Sequence, residues 1–274
     1  MRVYVNVDIE GVAGVCHPEE GNPGNPEYER ARRLMTAEAN AVVAGIYDAA
    51  PDAEVMVADT HGQWRNIIPE ELDERALLNR GRPKPTGMVD AVDAGWDLGM
   101  FIGVHGRSGT DRSALSHTFT GTILDVQVNG KSYGELGLNA AVAGYYGVPA
   151  VLVAGDQSVA AEARDLFGPN VLTVETKESR NHYAVISLHP NRARTLLREA
   201  AARAVRERPD VPPLKLAAPQ ECLVSLARPV MADLAEMVDG VERVNGRTVR
   251  FSRDTMPDSY RVIRLIAQLS MASV

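Results

Sequence analysis

The chain opens on alternation. VYVNVDI, residues 3–9, sets apolar side chains at every second position, the period of a half-buried β-strand. A loop rich in Gly and Pro follows, GVAGVCHPEEGNPGNP, and then the period changes. Ala31, Leu34, Met35, Ala39, Val42 and Ile46 recur at helical spacing, which predicts a helix running to about Ala50. Asn25 before Pro26 reads as its N-cap and first-turn pair. AEVMVAD is a second strand ending in THG, followed by a polar stretch of helical character and the connection GRPKPTG. MFIGVHG is a third, strong strand. Asn129-Gly130 between alternating residues marks a hairpin. GELGLNAAVAGYYG reads as a short helix with a glycine stop, and PAVLVAGD as a further buried strand.

This order of elements predicts an α/β fold: an open, mostly parallel sheet with flanking helices over residues 1–155. Beyond it the spacing is less regular. Helices are expected near 158–167, 190–207, 230–239 and 256–272, and strands near 170–174, 183–188, 221–227 and 241–252, with Asn245-Gly246 repeating the hairpin signature. Residues 156–274 therefore read as a second α+β lobe, with the α/β domain of residues 1–155 before it.

Composition removes several function classes. The net charge of −7 speaks against a nucleic-acid partner, and the arginine-dense segment 192–208 carries Glu199 and Glu207 at amphipathic helical spacing, as a solvated helix does. No apolar run is long enough for a membrane span. The N-terminus reads as a strand rather than a signal peptide, and the two cysteines, Cys16 and Cys222, cannot build a disulfide framework; a cytoplasmic protein is expected. GRSG at 106–109 lacks the Lys-Ser/Thr of a phosphate-binding loop, and no G-x-G-x-x-G follows the first strand.

The candidate chemistry lies at strand ends. Asp8 and Glu10 stand two apart at the end of the first strand, on one face by strand alternation, where their like charges call for a cation. His61 follows the second strand and His105 the third. In open parallel sheets ligands bind outside the carboxyl ends of the strands, so these side chains gather on one edge. Glu135 opens the short helix. Asp, Glu and His are the ligand set of a hydrolytic zinc site, and five candidates exceed the three that one ion takes from protein, enough for two ions sharing a carboxylate. Each also has a plainer reading: turn formers for the acids, a helix-terminal preference for Glu135, a satisfied histidine for either imidazole. Asp59 either caps its turn or orients a ligand histidine. His117, in Leu-Ser-His-Thr, reads equally as a ligand, a general base or a structural histidine. His17, His182 and His189 are left as loop or surface residues.

VDIEG, DTHG, GVHGRSG, LSHTFTG and GELGLNAAVAGYYGVPAVLVAGD, in that order and at these separations, resemble the zinc-dependent D-aminopeptidase family over almost the whole chain, more weakly in the last third. The resemblance implies two zinc ions per chain held by Asp8, Glu10, His61, His105 and Glu135. Asp8 would bridge, Glu10 would pair with His105, and His61 with Glu135. It puts the family's catalytic histidine on His117. It implies a short peptide as substrate, hydrolysed at its N-terminal bond, and a homodecamer of two stacked five-fold rings around an internal chamber. The loop 11–26, with Cys16 and His17, departs from the family pattern beside Asp8 and Glu10. Two other readings remain at this point: a metal-dependent amidase acting on amino-acid amides or L-peptides, and a non-enzymatic dipeptide-binding protein.

Overall fold

The computed structural model describes residues 1–272. Its first strand, β1 (Arg2–Val7), leads through the loop to helix α1 (Tyr28–Ala49) and β2 (Glu54–Asp59). Then come β3 (Leu77–Asn79), β4 (Leu98–Val104), the hairpin β5 (Ile123–Val128) and β6 (Lys131–Ser132), α2 (Glu135–Tyr145) and β7 (Ala150–Asp156). The remainder holds α3 (Gln157–Phe167), β8 (Leu172–Ser179), β9 (Val185–Ser187), α4 (Pro190–Glu207), β10 (Gln220–Leu226), α5 (Pro229–Ala235), β11 (Glu242–Asn245), β12 (Thr248–Arg253) and α6 (Met256–Ala272).

A seven-stranded sheet runs in the order β3-β2-β1-β4-β7-β8-β9, parallel except for β9. The chain winds outward from β1 through β2 to β3, then crosses to β4 on the other side of β1 and winds outward again. The gap between β1 and β4 is thus the point where winding direction reverses, where α/β sheets open a crevice for ligands. Both strands are apolar and buried along almost their whole length. Helices α1 and α4 pack together so closely that a Cβ at Gly45 would run into the backbone of Arg198. The second sheet is antiparallel, β11-β12-β10-β5-β6, with α5 and α6 against it. Helix α6 also packs on α2, where the buried Tyr260 hydroxyl donates to Asn139 Oδ1 at 2.6 Å, and so joins the two sheets.

Several expectations change in detail. Strand β1 stops at Val7, so Asp8 and Glu10 lie in the turn beyond it rather than on strand alternation. Helix α1 begins at Tyr28; Asn25 stands ahead of it and closes the preceding turn through its side chain, which accepts from Glu27 N at 2.9 Å. The polar stretch after THG forms one short 3-10 turn, Pro69–Glu71, and the edge strand β3 instead of a helix, because it has no continuous apolar stripe to bury. The sheets do not divide at 155: β8 and β9 extend the parallel sheet, while β5 and β6 join the antiparallel one. The hairpin at Asn129-Gly130 forms with both residues at positive φ, 52° and 79°, as its two-residue turn requires.

One contact sets the geometry of the crevice. Asp8 N donates to Ile102 O at 2.8 Å and Gly11 N to Gly103 O at 2.7 Å, so the turn after β1 is laced to the end of β4. Gly103 has φ +67°, and a Cβ there would fall on the Asp8 carbonyl. Only glycine lets the two strand ends approach this closely.

Candidate metal centre

The turn 8–11, the end of β2, the end of β4, the loop 113–119 and the start of α2 converge on the β1/β4 crevice. They bring together Asp8, Glu10, His61, His105, His117 and Glu135. Asp8, Glu10, His105 and Glu135 are buried; His61 and His117 are partly open to solvent.

The three imidazoles divide their nitrogens in the same way. His61 Nε2 lies 2.9 Å from the Gly21 carbonyl, while its Nδ1 lies 3.0 Å from Glu10 Oε2 and 3.3 Å from Asp8 Oδ1. His105 Nδ1 is 3.0 Å from the Gly106 carbonyl and its Nε2 is 3.5 Å from Glu135 Oε1. His117 Nδ1 is 2.8 Å from the Leu115 carbonyl, and its Nε2 is 3.3 Å from Glu135 Oε1 and 3.9 Å from Glu10 Oε1. A backbone carbonyl can only accept, so the nitrogen facing it carries the proton. In the neutral ring the other nitrogen then points a lone pair into the carboxylates, the orientation a metal-ligating histidine takes from its outer partner.

Ligand atoms of Asp8, Glu10 and His61 lie within 4.8 Å of one another; so do those of Asp8, His105 and Glu135, and those of Glu10, His105 and His117. Asp8 belongs to the first two groups. The expected pairing of His61 with Glu135 does not occur in any of these groups; Glu10 meets His105 only together with His117. The donors present, carboxylate oxygens and imidazole lone pairs converging on one buried spot, fit zinc.

Without a cation the cluster balances its charge with protons. Burial and the neighbouring Glu10 charge push the Asp8 carboxyl up to about 7. Burial opposes ionisation of Glu10 too, but His61, His105 and His117 outweigh it and hold Glu10 well below the usual carboxylate range. For His61, burial is overcome by Glu10 and Asp8, which hold the imidazolium well above its ordinary value. Burial is likewise overcome at His105, which Glu135 raises to about 10, and at Glu135, which His105 lowers to about 2. His117 goes the other way: burial and the His105 charge beside it favour the neutral ring. The two rings stack with centroids 4.2 Å apart.

The supporting residues were largely invisible in the sequence. Asp59 caps its own turn, accepting from Asn66 N at 2.5 Å, Asn66 Nδ2 at 2.7 Å and Ile67 N at 2.7 Å, and makes no bond to a ligand ring. Buried Lys177, on β8, donates to the carbonyls of Glu10, Val12 and Val15 and pins the turn that carries Glu10. Asp156, the N-cap of α3, also accepts from Ala114 N at 3.0 Å and Ser179 Oγ at 2.6 Å, anchoring the loop that carries His117. In the divergent loop, His17 caps the short turn Pro18–Gly21, whose Gly21 carbonyl orients His61. His189 caps α4. His182, at the surface, lines a cavity beside His117 with Tyr183 and Pro18.

The Peptidase M55 D-aminopeptidase family model matches residues 1–265. A D-aminopeptidase of Bacillus subtilis (strain 168) is 35% identical over 272 residues, covering 99% of this chain and 98% of that protein. The solved structure of the Zn-dependent D-aminopeptidase DppA from Bacillus subtilis, described as a self-compartmentalizing protease, superposes with a TM-score of 0.95 at 34% identity, over 99% of this chain and 98% of that one. A buried carboxylate–imidazole centre at the switch point of a parallel sheet is the work of a metallohydrolase, and this chain belongs to the D-aminopeptidase family, Peptidase M55.

The protons held by His61, His105 and Asp8 must leave when a cation takes their lone pairs. Zinc affinity of metal-stripped protein is therefore expected to rise with pH from 6 to 8.5, by about tenfold per pH unit for each proton displaced. Calorimetry in buffers of different ionisation enthalpy measures the protons released. An affinity flat over this range, with no proton release, contradicts the charge balance described.

Proposed function

We propose that the protein is a zinc-dependent D-aminopeptidase that removes the N-terminal residue of short peptides and holds two zinc ions per chain. Asp8, Glu10 and His61 would hold one, and Asp8, His105 and Glu135 the other. The observation that carries this reading is the shared orientation of the imidazoles, each donating outward to a carbonyl and facing the buried carboxylates with its second nitrogen. Zinc bound there supplies Lewis-acid polarisation of a carbonyl group and lowers the pKa of water towards about 7.

The chain supplies the rest. With zinc bound, the charges of Asp8, Glu10 and Glu135 would be neutralised, and the centre would receive the free amino group of the substrate as the neutral amine. His117 is assigned the proton. It lines both cavities that open on the cluster, whereas His105 lines neither and stays buried. Its Nδ1 is occupied by the Leu115 carbonyl, so Nε2 is the atom that accepts a proton and returns it to the leaving amine. The His105 ring behind it and Asp156 beneath its loop fix its position. The amidase and dipeptide-binder readings are not favoured by membership in a peptidase family. A homo-oligomer, a decamer enclosing its active sites, is proposed with this activity on the likeness to the self-compartmentalizing neighbour. A cytoplasmic location fits the two free cysteines.

Paired D- and L-dipeptides assayed on zinc-loaded protein should show turnover of the D-series, with two zinc ions per chain by elemental analysis. His117→Ala should keep its zinc and lose roughly 10²–10⁴-fold in kcat, while His105→Ala loses metal as well. Zinc lost from His117→Ala in proportion to activity would make His117 a ligand. Sedimentation velocity should give a decamer; a monomer at micromolar concentration removes the chamber and leaves the chemistry standing.

A further inference from the structure

Two cavities flank the acidic cluster, and they differ in charge. One, of about 290 Å³, is walled by Pro18, Leu115, Thr120, Gly121, His182 and Tyr183 beside the cluster residues, with no lysine or arginine. The other, of about 220 Å³, contains Asp8, Glu10, His61, His117 and Glu135 together with Arg82 and Arg264.

These arginines are held in place but not neutralised. The Arg82 guanidinium lies 5.4 Å from the Trp64 ring, and its Nη1 donates to Gly62 O at 3.0 Å, one residue past His61. Its Nη2 donates to Gln268 Oε1 at 2.5 Å. Arg264, one helical turn before Gln268 on α6, lies 4.7 Å from the Phe119 ring and 5.5 Å from the same Trp64 ring. Many arginines elsewhere have a carboxylate: Arg2 with Glu54, Arg30 with Glu20, Arg198 with Asp48, Arg250 with Glu242. Neither Arg82 nor Arg264 forms a salt bridge among the described residues. Two guanidinium groups beside one aromatic ring repel each other, and burial together with the Arg264 charge pulls Arg82 below its ordinary value. Stacking and neutral acceptors fix their position while leaving their charge unmatched, which suits an anion that arrives and departs.

We propose that Arg82 and Arg264 form a carboxylate subsite for the free C-terminus of the substrate, so that the preferred substrates are unblocked di- and tripeptides rather than amino-acid amides or blocked peptides. This rests on the aminopeptidase reading above. A short peptide at neutral pH is positive at one end and negative at the other. The cavity would meet both ends: the zinc centre for the amine, taken as the neutral amine, and the guanidinium groups for the carboxylate. An extended chain advances about 3.5 Å per residue, and a cavity of about 220 Å³ holds few residues. The cavity without lysine or arginine is left to the side chain of the N-terminal residue.

The test compares D-Ala-Gly with its C-terminal amide on the zinc-loaded wild type and on Arg82→Gln, Arg264→Gln and the double variant, with zinc content and circular dichroism confirming that each is folded. The wild type should favour the free acid by roughly ten- to a hundredfold in kcat/KM, the value of a charge-assisted hydrogen bond. In the double variant the ratio should fall to about one, the loss lying on the free acid and mainly in KM. Arg264→Lys should retain part of the preference. Equal rates on acid and amide in the wild type overturn the subsite and leave the aminopeptidase reading intact, as does a double variant that loses both substrates alike. If neither peptide is hydrolysed, the activity reading falls. Calorimetric binding of the two peptides then decides the subsite, equal affinities overturning it and tighter binding of the acid supporting it.

Discussion

Three carboxylates, Asp8, Glu10 and Glu135, are buried around the ends of two neighbouring strands. Like charges so placed cannot all ionise in a low-dielectric site unless positive charge stands among them. Burial and Glu10 lift Asp8 to about 7, and the same field holds His61 and His105 protonated far above their ordinary range. The centre thus has two ways to balance, protons or divalent cations. The outward hydrogen bonds of the three rings to Gly21, Gly106 and Leu115 prepare the second, because they fix which nitrogen faces inward.

The surrounding fold maintains this costly arrangement. Gly103, held at φ +67° against the Asp8 carbonyl, lets β1 and β4 approach closely enough for their ends to share a site. Lys177 gives its three N–H donors to the carbonyls of Glu10, Val12 and Val15, a buried ammonium that burial brings down to about 8 while Glu38 and Asp156 oppose the fall. Asp156 fixes the far side, through Ala114, where His117 hangs. The cluster residues therefore depend on groups that touch none of the three imidazole rings. Such support also separates roles: the buried His105 is clamped between Glu135 and the Gly106 carbonyl, while the more open His117 is anchored through its loop.

Much of this was legible in the sequence for a simple reason. Parallel strands buried on both faces are apolar runs, and the polar residues just past them, Asp8, the Asp59-Thr60-His61 run and His105, announce themselves by contrast. The hairpin at Asn129-Gly130 was equally plain, because its positive-φ turn restricts residue choice, and a hairpin also forms at Asn245-Gly246, though without positive φ at either residue. What escaped were contacts between segments far apart in the chain. Lys177 lies 167 residues from Glu10, and nothing in TVETKES distinguishes it from a solvated lysine. Arg82 and Arg264 meet only because α6 folds back over the loop before β4. The polar segment after His61 misled for the opposite reason: local propensity suggested helix, but a segment with no apolar stripe gains nothing by packing as one. The grouping of the cluster residues was beyond reach as well, since it depends on distances between side chains brought together from separate segments.

The central claim, that this buried charge cluster is a shared-carboxylate zinc centre, is tested most directly by anomalous scattering at the zinc edge from crystals of protein purified without chelator. The account predicts two peaks, one among Asp8, Glu10 and His61 and one among Asp8, His105 and Glu135, with Asp8 common to both. A single peak coordinated by His117, or no zinc at the crevice in enzyme that retains full activity, would contradict it.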